Sequence, residues 1–189
     1  MEHRQTNSTK KIVLTALLAA LTVAGSAIRI TIPVDIAGTT SFHLGNILCA
    51  LSGILLGPWY GAAAAGIGSA IYDMLNPLYI SEAWITFLTK ACYGLAAGLV
   101  IRTGKQPWGY ARATIATIAG ALTYAALYLS KTYFYSGMLL KGLTAEAAAL
   151  TVVTKLPATT FNAVVAILAA PALAIAIRKA LERNHLTLN

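Results

Sequence analysis

Long uncharged stretches alternate along this chain with short clusters of charge, proline and glycine. Residues 12–28 form the first such stretch, and with Arg29 they predict a first helix over 12–29; a membrane span needs about 20 mostly apolar residues. Residues 43–72 carry no formal charge and are too long for one span. The segment Gly57-Pro58-Trp59-Tyr60-Gly61 divides them, because proline stops a helix and glycine tolerates a turn. This predicts a second helix over 43–57 and a third over 59–75, ended by Asn76-Pro77. A fourth helix over 83–101 and a fifth over 111–135 flank a polar connection that contains Gly104, Pro107 and Gly109. The sixth covers 155–180. Pro33 and Gly38 predict a loop over 31–42, and Thr144-Ala145-Glu146 predicts a short extra helix behind a threonine cap.

The pattern therefore predicts an all-α integral membrane protein of six transmembrane helices. Its parts are a polar tail over 1–11, a membrane domain over 12–180 and a second tail over 181–189. The basic start before an apolar run is reminiscent of a signal peptide, but the run outlasts the usual h-region of about 7–15 residues. It reads as a retained first helix.

Composition agrees. Of 189 residues, 58% are hydrophobic and only 11% charged, against roughly 25% charged in soluble domains. The net charge of +8 raises nucleic acid as a partner, but the bases sit at the ends of apolar runs, as membrane topology requires. Nine of them fall on the side holding both termini, among them Lys10, Lys11, Arg102, Lys105 and Arg178; Arg29, Lys131, Lys141 and Lys155 fall on the other. The bias predicts cytoplasmic termini. Cys49 and Cys92 lie within apolar runs and imply neither a disulfide nor a metal site.

Enzyme signatures are absent. Gly98 to Lys105 only superficially resembles a phosphate-binding loop, with wrong spacing and no hydroxyl residue after the lysine. Neither HExxH nor GxSxG occurs. No catalytic residue, cofactor or metal is expected.

Two positive signals remain. Ala16, Ala20 and Ala24 repeat every four residues in the first helix, with Ala19 and Val23 widening the stripe. Such a surface lets another helix approach closely, and from spacing alone packing within the chain is favoured over docking to a partner. The second signal is polarity at bilayer depth, which is costly unless it faces protein or water. Lys90 lies seven residues into the fourth helix, flanked by Thr86 and Tyr93; Asn162 lies at similar depth in the sixth, on a face with Lys155 and Thr159. Tyr124, Tyr128, Lys131 and Tyr135 share a face of the fifth. One shared pocket accounts for all three faces. Tyr79 and Trp84, from the third loop, are expected to help close it. Asn76 joins the candidate set, although with Asp73 it also reads as a helix-end network. Taken singly, each residue has a plainer reading: the tyrosines pack, Lys131 and Lys155 snorkel, and Lys90 pairs with Asp73 or Glu82.

The order of these motifs resembles a known family. Leu55-Leu56-Gly57-Pro58-Trp59-Tyr60-Gly61, followed by an Ala/Gly-rich helix and Asp73, resembles the second and third helices of energy-coupling factor (ECF) transporter S components. The alanine stripe resembles their first-helix AxxxA signature, and Lys155-Leu156-Pro157 followed by Asn162 is similar to the start of their sixth helix. The resemblance covers nearly the whole chain. It implies a substrate-binding subunit of an ATP-driven importer, which captures a vitamin or related micronutrient and works with a membrane coupling subunit and two cytoplasmic ATPases. It implies a multi-pass location in a cell membrane, a bacterial cytoplasmic membrane in particular. It also implies a pocket between helices four to six and the outer loops, and a docking role for Ala16, Ala20 and Ala24. It does not fix which vitamin is bound. A self-sufficient secondary carrier and an intramembrane enzyme are the rival classes, and neither inverted repeats nor a catalytic constellation supports them.

Overall fold

A computed structural model describes residues 2–34, 38–104 and 106–184. Met1 of the expected first tail, Lys105 of the basic set and residues 185–189 of the expected second tail lie outside the described residues. Among the described residues, the regular structure is helical apart from one small antiparallel hairpin. Helix α1 is Glu2–Ala27, followed by strands β1, Arg29–Val34, and β2, Gly38–His43. Then come α2, Gly45–Leu56; α3, Pro58–Met74; a 3-10 turn, Ile80–Glu82; and α4, Ala83–Arg102. Helix α5, Tyr110–Lys131, runs into a π-helix, Thr132–Leu140, and α6 spans Ala145–Arg183.

Three expectations are corrected. The loop expected over 31–42 is, at 31–34 and 38–42, the paired strands β1 and β2, with Arg29 opposite His43 and Thr31 opposite Ser41; residues 35–37 lie outside the described residues. Pro33 is tolerated because both strands of a two-stranded pair are edge strands, where a missing N–H costs little. The expected N-terminal tail is helical from Glu2. The extra helix at Thr144 and the sixth helix are one 39-residue element. Thr144 does cap its start, accepting from the Ala147 N–H at 3.3 Å. Pro157 and Pro171 lie inside it without ending it, as prolines do where neighbouring helices re-satisfy the freed backbone.

Among the described residues, four helical stretches are long and apolar enough to cross a membrane: Ser8–Ala27, Ile80–Arg102, Tyr110–Leu140 and Ala145–Arg183. Helices α2 and α3, at 12 and 17 residues, are shorter. The packing is inverted relative to a water-soluble protein. The interior is largely small residues, with Ala64, Ala97, Ala116, Ala166 and Ala170 fully buried, while Leu122 and Leu168 are each 67% exposed. Small residues between helices and large apolar ones outside are what a lipid solvent selects. The chain is a multi-pass membrane protein.

Backbone contact replaces side-chain packing between α2, α3 and α4. Gly57 turns the chain from α2 into α3 at φ 78°, a conformation that favours glycine. Gly98 of α4 lies against that turn so closely that a Cβ would sit 2.4 Å from the Gly57 carbonyl carbon. At Gly98 there is thus no room for a side chain against the turn, which lies at the end of the bundle opposite the hairpin.

Candidate functional site

At the hairpin end lies a cavity of about 410 Å³, walled by the hairpin, the end of α3, the 3-10 turn, α4, α5 with its π-segment, and α6. Its floor is built around Lys90. That side chain is only 4% exposed, donates to Asn46 Oδ1, and holds its Nζ 3.7 Å from the centre of the Tyr124 ring. Tyr124 stacks in turn on Tyr128, ring centres 5.5 Å apart. The spacing of four along α5 puts both rings on one face. The ion pair with Asp73 or Glu82 weighed for Lys90 does not form.

Glu82 instead receives Lys131 Nζ and, at 2.7 Å, the Ser136 hydroxyl. The π-helix makes this possible. Its wider turn keeps Thr132, Ser136 and Leu140 in the wall as a continuation of the Tyr124–Tyr128 face, and such segments recur at functional sites.

The hairpin forms the roof. Asn162 of α6 holds β2 through both amide atoms: Oδ1 accepts the His43 N–H and Nδ2 donates to the Ser41 carbonyl, both at 2.9 Å. Lys155 Nζ donates to the Thr39 carbonyl at 2.7 Å. The Tyr79 hydroxyl bonds Ser41 at 3.2 Å and Thr39 at 3.3 Å. Arg29 anchors its Nε on the Ser26 carbonyl and lays its guanidinium between the Tyr72 and Tyr79 rings, 4.2 and 5.0 Å from their centres. His43 accepts the Gly45 N–H on Nδ1 at 3.2 Å. Burial first, and then the charges of Lys90 and Arg29, hold its pKa well below the ordinary value of 6.5. The imidazole is neutral at pH 7.

Seven of the ten ligand candidates named from sequence meet in this wall: Lys90, Tyr124, Tyr128 and Lys131, with Lys155, Asn162 and Tyr79. Three do not. Tyr93 is fully buried in the layer beneath Tyr124, ring centres 6.0 Å apart. Trp84 is 55% exposed on the outside of α4, edge-on to Tyr135. Asn76 bonds the Tyr72 hydroxyl and the Leu78 N–H, shaping the turn that places Tyr79. Sequence reading did not assign Arg29, Ser41 and Thr39 to the site, because it placed Arg29 at the end of the first helix and Thr39 and Ser41 in a loop. The alternation of polar and β-branched residues in Arg-Ile-Thr-Ile was the available signal.

The alanine stripe lies elsewhere. Ala16, Ala20 and Ala24 are all exposed on α1. Ala19 is not part of that surface: it is buried against α3, where a Cβ on Gly68 would come within 2.4 Å of its carbonyl oxygen. Among the described residues, no group of three or more His, Cys, Asp or Glu is placed to hold a metal.

The site is thus an aromatic and charged cavity at one end of a helical membrane body, roofed by a hairpin. The family model described as ECF-type riboflavin transporter, S component, matches residues 6–179. The chain belongs to that family. A protein of Pyrococcus woesei, described as an uncharacterized protein in a gap 3′ region, is 31% identical over 118 residues, covering 62% of this chain and 74% of the relative.

Proposed function

We propose that this chain is the substrate-capturing subunit of an ECF-type importer, taking a vitamin or related micronutrient from outside the cell into the cavity beneath the hairpin. The observation that carries the reading is the convergence of stacked tyrosines, a buried lysine and hydroxyl and amide groups on one cavity, in a member of this family. Apolar pockets with a few convergent polar groups are the usual form of small-molecule sites. A flat ring against Tyr124 and Tyr128 suits the riboflavin of the family description, and it suits other ring-bearing vitamins equally. Lys90, Lys131, Lys155 and Tyr79 would fix its polar groups, with Asn162 holding the roof over them.

Transport requires partners. The exposed alanine stripe of α1 is the surface we assign to a membrane coupling subunit, itself driven by two cytoplasmic ATPases. In this arrangement α2 and α3 complete six spans, both termini are cytoplasmic, and the hairpin faces outward. The test is to purify the full chain from its own cells and identify co-bound small molecules by mass spectrometry. A stoichiometric vitamin-like ligand is expected. Chemical conversion of added compounds, or uptake by vesicles holding this chain alone, would overturn the assignment.

A further inference from the structure

The charges of the cavity wall narrow the chemistry of its ligand. Arg29, Lys90, Lys131, Lys141 and Lys155 line it, against two carboxylates, Asp73 and Glu82. Among the described residues, Lys131–Glu82 is the one ion pair in this wall. Of the others, Lys141 is exposed to water, and three rest on neutral acceptors: Lys90 on the Asn46 amide oxygen, Lys155 on the Thr39 carbonyl, and Arg29 on the Ser26 carbonyl. A neutral acceptor satisfies an N–H without cancelling its charge. Asp73, itself buried, can offset at most one of them. Lys90 is buried and Arg29 and Lys155 are half-buried; cations drawn even partly out of water without counter-charge carry a cost, which an anionic ligand lowers on binding.

Geometry indicates where the anion would lie. The Arg29 guanidinium sits over the Tyr79 ring, whose hydroxyl bonds Thr39 Oγ1, and Lys155 holds the carbonyl of the same Thr39. Two cations and a phenol thus gather beneath the hairpin. With Nε committed to Ser26, the guanidinium keeps its two terminal NH2 groups, whose fork matches a planar or tetrahedral oxyanion.

We infer, resting on the capture reading above, that the ligand carries an oxyanion, a carboxylate or a phosphate, received by Arg29 and Lys155 under the hairpin, while its ring lies against Tyr124 and Tyr128.

Matched pairs of probes test this on the purified full chain in detergent. Riboflavin against flavin mononucleotide and pyridoxal against pyridoxal 5′-phosphate compare a neutral ring compound with its phosphate; nicotinamide against nicotinate does the same for a carboxylate. In whichever pair the protein binds, the anionic member is expected to bind at least about tenfold tighter. That advantage should shrink as sodium chloride rises. The class of pair that responds separates phosphate from carboxylate. The double variant Arg29→Gln/Lys155→Gln should bring the ratio within a pair close to one, and the salt dependence of the unaltered chain tests the charge even if that variant does not fold. A co-purified ligand is judged by the same criterion, its charge at neutral pH. A neutral ligand bound as tightly as its anionic counterpart would overturn the anion while leaving capture standing. Failure of every probe, with nothing co-purified, would overturn capture and the inference together. An anionic preference unchanged in a folded double variant would overturn the assignment to Arg29 and Lys155.

Discussion

Asn162 lines the cavity but spends its amide on the roof, so its substitution separates holding the hairpin from touching the ligand. Asn162→Ala leaves the His43 N–H and the Ser41 carbonyl without their partners. Each lost bond costs about 1 kcal/mol, more where the group stays buried. The variant is therefore expected to lower the thermal midpoint and raise protection loss in 38–43 by hydrogen exchange, with ligand affinity falling at least about tenfold as the roof loosens. Lys90→Ala should weaken binding to a similar degree without altering exchange in the hairpin, because its bond is to Asn46 of α2. Equal exchange in the two variants would count against the clamp. His43 gives a pH dependence of known sign. Its folded pKa is depressed below 6.5, by burial and then by Lys90 and Arg29, so below that pH the unfolded chain binds the proton more readily. The stability it confers is complete above pH 6.5 and is lost as the pH falls through the folded pKa. Protonation also destroys the Nδ1 acceptor used by the Gly45 N–H. Thermal midpoints measured from pH 7.5 to 5 should decline, and His43→Gln should flatten the decline.

At the level of elements, the glycine contacts make a sharper claim than the apolar ones. A side chain on Gly98 would collide with the backbone of the Gly57–Pro58 turn, which cannot swing aside as a flexible side chain can. Overpacking of this kind costs about 1–3 kcal/mol or more. Gly98→Leu is expected to destabilise the protein severely, whereas Leu99→Ala, one residue on and 52% exposed, should leave the midpoint almost unmoved. Similar midpoints for the two would show that α3 and α4 do not meet as described. The helices themselves were legible from sequence because long uncharged runs and Gly-Pro breaks are local signals; α2, α3 and α4 begin and end within two residues of expectation. Six of the seven candidates that line the cavity were legible for the same reason, since helical periodicity carries a face of Tyr124, Tyr128 and Lys131 directly; Tyr79 came instead from its place in the third loop. What escaped depends on contacts distant in sequence. The hairpin is fixed by Asn162, more than a hundred residues away, and by Tyr79. The continuity of α6 through Pro157 depends on tertiary surroundings, which a proline rule cannot contain. Tyr93 shares the helix of Lys90 but points below it, and three residues of spacing could not distinguish the floor of a cavity from the layer underneath.

For the whole molecule, the question is which outer surface meets something other than lipid. Along α1 the two faces differ plainly: Leu18, Ala19, Thr22 and Ser26 are buried against the rest of the chain, while Ala16, Ala20 and Ala24 face outward. Packing within the chain, the reading favoured by spacing alone, therefore does not account for the stripe. Exposed alanines could meet lipid like any other apolar group, but large residues cover most of the exterior, with Ile12, Val13 and Leu17 on the same helix each more than half exposed. A smooth track within such a surface admits a second helix closely, and a bulky residue in its middle would hold that helix away. Ala20→Trp thus separates the roles of the molecule. Because Ala20 touches neither the cavity nor the interior, ligand affinity and thermal midpoint of the isolated chain should stay within experimental error of the unaltered protein. Co-purification of the coupling subunit should fall, and ATP-dependent uptake in vesicles containing all the subunits should be lost. Ser8→Trp, on an exposed position of the same helix three turns earlier, serves as the control for bulk alone and should transport normally. Full uptake by Ala20→Trp would mean that the stripe faces lipid and that the partner binds elsewhere. A concerted drop in stability and binding would mean instead that α1 packs differently from the arrangement in which Ala20 is exposed.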